Sequence, residues 1–357
     1  MTNPKPAFRI GALAGAIGFA LIAAGCTAEP EPTTPTEPVS AEWQAVVDAA
    51  NEEGNVIWYS TAPPAARELL VEAFNQAYPD IAVEVRALSF ADSQAALQTE
   101  HDTGTPGADV VSNVDFAWIY ERVVQPDWMA DLEGPNFEAE EWADYVDEGK
   151  LAIAPIGLVT IGWNTDLLPN GEELITGYES LLDSDLGDGA IGIIEGGTVP
   201  VYSDWWSYIE ENHAEDFATE MVDQEPKFYS GAASMQPALA AGEIAVGAFT
   251  TAADMQALVD QGAPVDFMVP DPAWVAQNIF WIPESAGNPN AAQVFMDFFA
   301  SPEGQAAVAK FGSTPLSEVQ SETLGGNTPT VLVNIENQLG GEWVPEYQEY
   351  WNEIWGR

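Results

Sequence analysis

Cysteine, histidine and basic side chains are scarce in this sequence. It has one cysteine and two histidines, and nine Lys and Arg residues stand against 57 Asp and Glu residues. A single cysteine excludes a disulfide within the chain. So acidic a protein repels nucleic acid and anionic membrane surfaces, and we exclude both as partners. High salt screens such repulsion, so we attribute the acidity to a salty habitat and not to the ligand.

The first 25 residues have the composition of an export signal. Lys5 and Arg9 give a positive start, and an apolar stretch follows at residues 10–21. Small residues then precede Cys26, an arrangement that resembles the bacterial lipobox, whose cysteine is acylated and becomes the new N-terminus. A plain secretory signal with an incidental cysteine is the alternative. The apolar run is shorter than the roughly 20 residues that a transmembrane helix needs.

Residues 26–40 predict an extended tether between the anchor and the folded chain. Residues 27–38 are rich in Thr, Glu and Pro and contain no large apolar side chain, so they cannot bury a core. We therefore expect an exported protein that is held at the cell membrane only through the lipid on Cys26. It would lie in a periplasm or at the outer cell surface.

Helix and strand patterns alternate from residue 40 onward. Ser40 predicts a helix cap and Gly54 a helix end, and Pro63 and Pro64 suit the first turn of another helix. The order strand, helix, strand, helix, strand predicts a parallel, doubly wound α/β sheet. The predicted strands are 56–59, 81–88 and 108–114, with helices at 40–54, 63–77 and 91–101.

A second unit begins near residue 151. The apolar segment 151–164, interrupted by Pro155 and Gly157, and the segment 278–283 are typical of strands that cross between two lobes. We therefore predict a first lobe from residues 41–153 plus 280–357 and a second lobe from 154–279. The second-lobe elements are predicted strands at 190–194, 244–249 and 265–269, and predicted helices at 205–212, 217–222, 235–241 and 252–261.

Seven short motifs follow one another in a fixed order. They are VIWYST (56–61), LVEAFNQAYP (70–79), ADVV (108–111), GWNTDLLP (162–169), LAAGE (239–243), NPNAA (288–292) and SPEGQ (301–305). Together they resemble the solute-binding proteins of ABC importers, in the branch that includes the ferric-iron binders. The resemblance implies an α/β, periplasmic-binding-protein-like (type II) fold, in which two lobes, each a doubly wound sheet, are joined by two crossing strands and close on a ligand.

Ligands of open α/β sheets bind beyond the carboxyl ends of the strands, against helix N-termini. Ser60 and Thr61 follow the first strand, and Thr250 and Thr251 follow the strand predicted at 244–249. Asp115 follows the strand at 108–114. Helix capping is the alternative role for each of these side chains.

Aromatic side chains near the predicted strand ends can stack on sugars or hold cations. The alternative is that these aromatic side chains pack in the core. The same two roles are open to Trp206 and Trp274. The complete set of predicted ligand-binding residues is Ser60, Thr61, Asp115, Trp118, Trp163, Thr198, Tyr202, Trp205, Thr250 and Thr251.

The resemblance also bears on metal binding. It implies that ferric binders carry paired tyrosines where this chain has Thr250 and Thr251, and hydroxyls of threonine do not suit ferric iron. We read His101 and His213 as solvated helix residues. No basic residue lies clearly at a strand's carboxyl end, which argues against a dianion clamped by arginine. We therefore predict no metal and no cofactor, and an organic molecule or organic anion as the ligand in preference to ferric iron.

The predicted function is solute capture for an importer. The chain lacks a Gly-x-Ser-x-Gly elbow, a phosphate-binding Gly-Lys loop and a histidine pair with metal-ligand spacing, so we predict no enzyme activity. We expect a monomer that delivers its ligand to an ABC permease and ATPase complex. A sensory binding protein that signals to a membrane receptor is the first alternative, and a surface hydrolase the second.

Overall fold

The computed structural model describes residues 40–124, 128–183, 186, 189–310, 312–316, 319, 330–339 and 341–357. The predicted leader, Cys26 and the tether as far as residue 39 lie outside these ranges. Of the helices within them, none is both long enough and apolar enough to cross a membrane.

Helices and strands alternate through most of the chain. The α-helices are α1 (Ala41–Glu53), α2 (Pro64–Ala77), α3 (Phe90–Thr103), α4 (Phe116–Ile119), α5 (Gly171–Leu174), α6 (Pro200–Asn212), α7 (Phe217–Met221), α8 (Ala232–Ala240), α9 (Ala252–Asp260), α10 (Pro289–Ala300), α11 (Pro302–Ala309), α12 (Ile335–Leu339) and α13 (Trp343–Trp355). The strands are β1 (Asn55–Ser60), β2 (Ala82–Ala87), β3 (Val110–Asn113), β4 (Val146–Asp147), β5 (Leu151–Asn164), β6 (Ile191–Ile194), β7 (Lys227–Tyr229), β8 (Val246–Thr251), β9 (Val265–Met268), β10 (Ala273–Trp281) and β11 (Thr330–Leu332).

Helix ends follow local sequence signals at several points. The Ser40 hydroxyl accepts a hydrogen bond from the Trp43 amide at 3.1 Å, and Gly54 ends α1 in the left-handed conformation. Both features were predicted. At α10 the side chain of Asn288, which precedes the helix, does not cap it, because that side chain donates to Asp109 Oδ2 at 2.9 Å. The Glu53 carboxylate, at the end of α1, instead accepts from the Ala291 amide at 2.7 Å.

The first half of the sheet has the strand order β2-β1-β3-β10-β5. Strands β2, β1 and β3 run parallel, with Trp58 of β1 opposite Val85 and Val110. Strand β10 joins β3 in the antiparallel sense. Because the parallel strands share one direction, their carboxyl ends meet at one edge of the sheet, next to the N-termini of α2 and α3.

The second half continues from β5 through β8, β6 and β7. Strand β5 pairs with β4 and β10 along its first part and with β8 and β9 along its last part. Strand β10 pairs with β3 near its end and with β11 at its start. The two-lobed α/β fold with two crossing strands is therefore confirmed. Strand β10 starts at Ala273, five residues before the predicted segment, because the polar Gln277 interrupts its apolar pattern.

Aromatic side chains fill the core of each lobe. In the first lobe the Trp58 ring lies 5.4 Å from that of Phe295, and Phe74 lies 5.1 Å from Phe295. In the second lobe Trp205 and Trp206 have no exposed surface, and their rings lie 5.2 Å apart. Full burial of such side chains contributes roughly 1.5–3 kcal/mol each.

The C-terminal helix α13 packs on the second lobe. The fully buried ring of Trp351 lies 6.0 Å from Trp206 of α6 and 5.9 Å from Phe228 of β7. The sequence predicts residues 280–357 to belong together to the first lobe. Since Trp206 and Phe228 belong to the second, we propose that the boundary be redrawn so that residues 343–355 go with that lobe.

A candidate ligand-binding cleft between the lobes

A cleft of about 620 Å³ lies where the two lobes face each other. The first lobe contributes the ends of β1 and β2 and the starts of α2 and α3. The second contributes α6, the segment before α8, the end of β8 and the start of α9, and the crossing strands β5 and β10 lie between. The lining residues include Thr61, Ala62, Pro63, Pro64, Arg67, Leu88, Ser89, Phe90, Gly157, Val159, Val201, Tyr202, Ser230, Gly231, Ala232, Ala233, Ser234, Phe249, Thr251, Asp254, Trp274, Ala276 and Asn278.

The first-lobe side of the cleft is built on the end of β1. The Thr61 amide donates to Ser112 O at 3.1 Å, which extends the strand pairing to the edge of the sheet. Thr61 remains half-buried and lines the cleft, and its hydroxyl donates to Ser112 O at 3.4 Å. Ser60 lies beneath it and is 1% exposed, because its hydroxyl pairs with that of Ser112 at 2.9 Å.

The second-lobe side is formed mainly by the start of α8. Gly231 precedes this helix with a φ of 155°, and a Cβ there would lie 2.7 Å from the Tyr202 hydroxyl. That hydroxyl donates to Ser230 O at 3.2 Å and so fixes the turn. The first amides of a helix have no partner within it and carry the positive end of its dipole. Since Ala232 and Ala233 line the cleft, this end of α8 offers hydrogen-bond donors to an anion.

The crossing strands supply an aromatic face and an amide. Trp274 of β10 donates from Nε1 to Asp204 Oδ2 at 3.0 Å, which fixes the plane of its indole. Asn278 is 2% exposed, and its Oδ1 has no hydrogen-bond partner among the described residues. Gly157 of β5 is required by the close approach of the strands, because a Cβ there would lie 2.9 Å from the Ala276 Cβ.

Two charged side chains line the cleft, Arg67 and Asp254. Arg67 is half-buried, and within the part of the chain that the structure describes its guanidinium makes no hydrogen bond and no ion pair. Burial lowers the pKa of Arg67, while the charges of Asp254 and Glu68 oppose that shift. An arginine always stays protonated in proteins, so a positively charged hydrogen-bond donor lines the cleft. Sequence reasoning missed Arg67, because the residue lies one turn inside α2 and not at a strand's end.

Two contacts cross the cleft from one lobe to the other. Asp254 Oδ1 accepts a hydrogen bond from the Ala65 amide in the first turn of α2 at 3.1 Å. At another point the rings of Phe90 and Tyr202 meet edge to face at 6.4 Å. The lobes therefore touch at these two points beside the cavity.

Residues 58–306 match the family described as bacterial extracellular solute-binding protein. The chain belongs to this family. No curated protein sequence matches it. This solute-binding protein also resembles solved structures, all at low sequence identity, so the likeness concerns the fold alone.

Three of these structures show the range of the fold. The substrate-binding protein of an ABC transporter from Agrobacterium tumefaciens is 17% identical, with a TM-score of 0.71 over 85% of this chain and 96% of that one. AfuA from Actinobacillus pleuropneumoniae, solved with fructose-6-phosphate, is 19% identical, with a TM-score of 0.65 over 85% and 98%. Iron-bound HitA from Pseudomonas aeruginosa is 16% identical, with a TM-score of 0.61 over 84% and 99%.

Three of the predicted ligand-binding residues of this solute-binding protein meet in the cleft: Thr61, Tyr202 and Thr251. Trp274, for which we had left a core role open, lines it as well. These residues come from both lobes and from a crossing strand. The rule that ligands lie beyond the carboxyl ends of strands accounts for Thr61 and Thr251, whereas Trp274 lies at the start of β10.

Other predicted residues serve the framework beneath the cleft. Thr250 is fully buried inside β8, which runs two residues further than predicted, and its hydroxyl lies 2.8 Å from that of Thr160. Trp205 points into the second-lobe core and donates to the Tyr178 hydroxyl at 3.0 Å. Asp115 caps α4 by accepting from the Trp118 amide at 3.0 Å, which was the alternative role.

The remaining three predicted residues also lie away from the cleft lining. Trp163 is 3% exposed and packs against Gly171, where a Cβ would clash with its ring. Trp118 packs against the core, and Thr198 sits in the loop before α6, its hydroxyl 3.4 Å from Glu195 O. The predicted residues that do not line the cleft thus lie in or against the core, except for the exposed Thr198.

The two histidines differ from each other. His101 is exposed, as expected, and stacks on Trp128 with the ring centres 3.7 Å apart. The His213 side chain is buried, contrary to expectation, and its Nε2 lies 2.7 Å from the Tyr208 hydroxyl. Burial lowers the pKa of His213, although Glu179 opposes the shift. Within the described ranges, no group of three or more His, Cys, Asp or Glu residues is arranged to hold a metal ion.

Proposed function

We propose that this chain is the substrate-binding lipoprotein of an ABC-type importer and that it captures a small organic anion between its lobes. It would hand the ligand to a membrane permease and ATPase complex. Family membership supports the binding role, and the cleft supports the class of ligand. The observation that carries the proposal is the half-buried Arg67, which lines the cleft without an ion-pair partner in the described chain.

The charge balance favours an anion. A guanidinium that is partly removed from bulk water is stabilised most by a carboxylate or phosphate that accepts two hydrogen bonds from it. The amides of Ala232 and Ala233 offer further donors from the other lobe. In a protein with 57 acidic residues, such a convergence of donors stands out from its surroundings.

The organic part of the ligand would rest on apolar surface. Phe90, Tyr202, Phe249 and Trp274 line the same cavity and offer ring faces and edges. A volume of about 620 Å³ suits a metabolite-sized molecule. Ferric iron is disfavoured, since the cleft lining has one phenol, Tyr202, and one carboxylate, Asp254, and both already hydrogen-bond within the protein.

Binding would work by a shift of population. Groups from both lobes reach one ligand only when the lobes are closed, so the ligand favours the closed state by its extra contacts there. The permease would then distinguish the closed, loaded protein from the open one. The lipid on Cys26 and the tether would keep the protein near the membrane.

A thermal-shift screen tests the proposal. The mature chain with Cys26→Ser is screened in high salt against ferric citrate, polyamines, sugars, phosphonates and carboxylates. A ligand at 100 times its Kd stabilises the folded protein by about 2.7 kcal/mol, which gives a clear rise in Tm. We expect the rise with a carboxylate or phosphonate, and we expect Thr251→Trp to abolish it.

The screen also contains the outcomes that contradict the proposal. A rise in Tm with ferric citrate, but not with citrate alone, would make the protein an iron binder. A rise in Tm that occurs only with sugars or polyamines would show that the ligand is not an organic anion. Asp260→Trp is the control, because Asp260 is exposed at the end of α9, the helix that follows Thr251. This replacement should leave the rise in Tm intact.

A further inference from the structure

The start of α2 is already occupied by a carboxylate from the opposite lobe. Pro63 and Pro64 have no amide hydrogen, so Ala65 carries the first free N–H of this helix. That amide donates to Asp254 Oδ1 at 3.1 Å. A helix N-terminus in a binding cleft is a natural place for an anionic ligand group, and here the protein's own side chain fills it.

Asp254 is held in this position from its own lobe. Its Oδ2 lies 3.0 Å from the Thr251 hydroxyl and accepts from Gln236 Nε2 at 3.2 Å. Gln236 is 3% exposed, and its Oε1 accepts from the Thr251 amide at 3.0 Å. Neutral groups from two elements of the second lobe thus hold the Asp254 carboxylate in the position from which it contacts the first lobe.

The position of Asp254 limits the charge that the cleft can accept. Arg67 lies one turn along α2, and these two side chains are the charged residues of the lining. With the carboxylate at the start of α2, a ligand has one arginine and the start of α8 for its negative groups. A second negative charge beside Asp254 would be repelled at short range in a partly dehydrated site.

We propose that Asp254 is a specificity-determining residue that acts as an internal anion and restricts the cleft to ligands with one negative group. The inference rests on the proposed function for the sign of the ligand's charge. Its consequence is independent of the natural ligand: removal of the carboxylate should create a site for a multiply charged anion at the start of α2, beside Arg67.

A gain-of-binding experiment tests this consequence with inorganic phosphate as the probe. Isothermal titration calorimetry at pH 7.5 and constant high salt compares the parent protein, the mature chain with Cys26→Ser, with Asp254→Ala. We expect the variant to bind phosphate at least tenfold more tightly than the parent does. Asp254→Asn keeps the size of the side chain and removes its charge, so it should also gain affinity if Asp254→Ala does not fold.

Two further variants separate the site from general effects of charge. Asp260→Asn removes an exposed carboxylate from the last turn of the same helix and should leave phosphate binding unchanged. Adding Arg67→Gln to Asp254→Ala should cancel the gain. The inference is wrong if both Asp254 variants bind phosphate with an affinity within twofold of the parent's. It is also wrong if neither the parent nor the variants bind phosphate detectably.

The outcome is distinguishable from a failure of the proposed function. If no organic anion binds the parent protein, the proposed function fails, whereas the phosphate gain in Asp254→Ala still reports on the α2 site. If an organic dianion binds the parent protein tightly, the proposed function stands and the role of Asp254 is wrong.

Discussion

The indole of Trp274 donates a hydrogen bond to the buried carboxylate of Asp204 at 3.0 Å, and so joins a crossing strand of the cleft to helix α6. The other oxygen of Asp204 accepts from the Asn334 amide at 3.0 Å. No cation pairs with this carboxylate among the residues that the structure describes. Burial raises the pKa of Asp204 to about 6.

This relationship predicts a dependence of stability on pH. A carboxyl whose pKa is higher in the folded state than in the unfolded one binds its proton more tightly when folded, so stability falls as pH rises from about 4 to about 6. The free energy of unfolding of the parent protein, relative to that of Asp204→Asn, should therefore decrease by roughly 2–3 kcal/mol between pH 4 and pH 7. Urea unfolding at constant salt measures the difference, and parallel pH profiles of the two proteins would contradict it.

Replacement of Arg67 should weaken anion binding. Arg67→Gln removes a charged donor from the cleft, and hydrogen bonds to charged groups contribute about 1.5–3 kcal/mol each, so we expect the Kd to rise roughly 10- to 100-fold. Calorimetry with the best anion from the ligand screen measures the change. Arg86→Gln is the matched control, because Arg86 is exposed on β2 and pairs with Glu84. An equal loss in both variants would show a long-range effect of charge only.

The cap of α10 by Glu53 should contribute measurably to stability. Its carboxylate accepts from the Ala291 amide at 2.7 Å and from Asn290 Nδ2 at 2.7 Å, which joins α1 to the first turn of α10. Glu53→Ala should cost about 1–2 kcal/mol of unfolding free energy. The exposed neighbour Glu52 serves as the control, and Glu52→Ala should stay within about 0.5 kcal/mol of the parent. Equal values for the two variants would show that the cap has no net effect.

The ring of Trp351 should be needed for the stability of the second lobe. It is 1% exposed and packs between Trp206, Phe228 and Trp355. Trp351→Ala leaves a large cavity and should cost about 3–5 kcal/mol. Urea unfolding followed by circular dichroism measures it, beside Glu349→Ala at an exposed position of the same helix. A small loss would mean that α13 is only loosely attached.

Much of the fold could be predicted because the signals are local. Ser40 and Gly54 mark the ends of α1, and the apolar run of β5 was placed with both of its ends correct. Strand β8 was cut short before Thr250, since its last two residues are polar. Their place in the strand depends on pairing with Thr160 and Val159 of β5, which is distant in the sequence.

The cleft could be predicted only in part. Thr61 and Thr251 follow from strand ends, a rule that needs topology alone. Arg67 lies one turn inside α2 and Asp254 lies in the first turn of α9, and only the meeting of two lobes brings them into one cavity. Trp205 was misplaced because neighbouring aromatic residues of α6 face different sides, and the sequence does not distinguish the side towards the cleft from the side towards the core.

The strand that the two halves of the sheet share has a consequence for how this protein unfolds. Strand β5 provides backbone partners to both halves, to β10 in the first and to β8 in the second, so neither half keeps its full hydrogen-bond ladder once the other has melted. The halves should therefore melt together in one calorimetric peak. For the same reason, a gene fragment that encodes either half alone should yield an insoluble product.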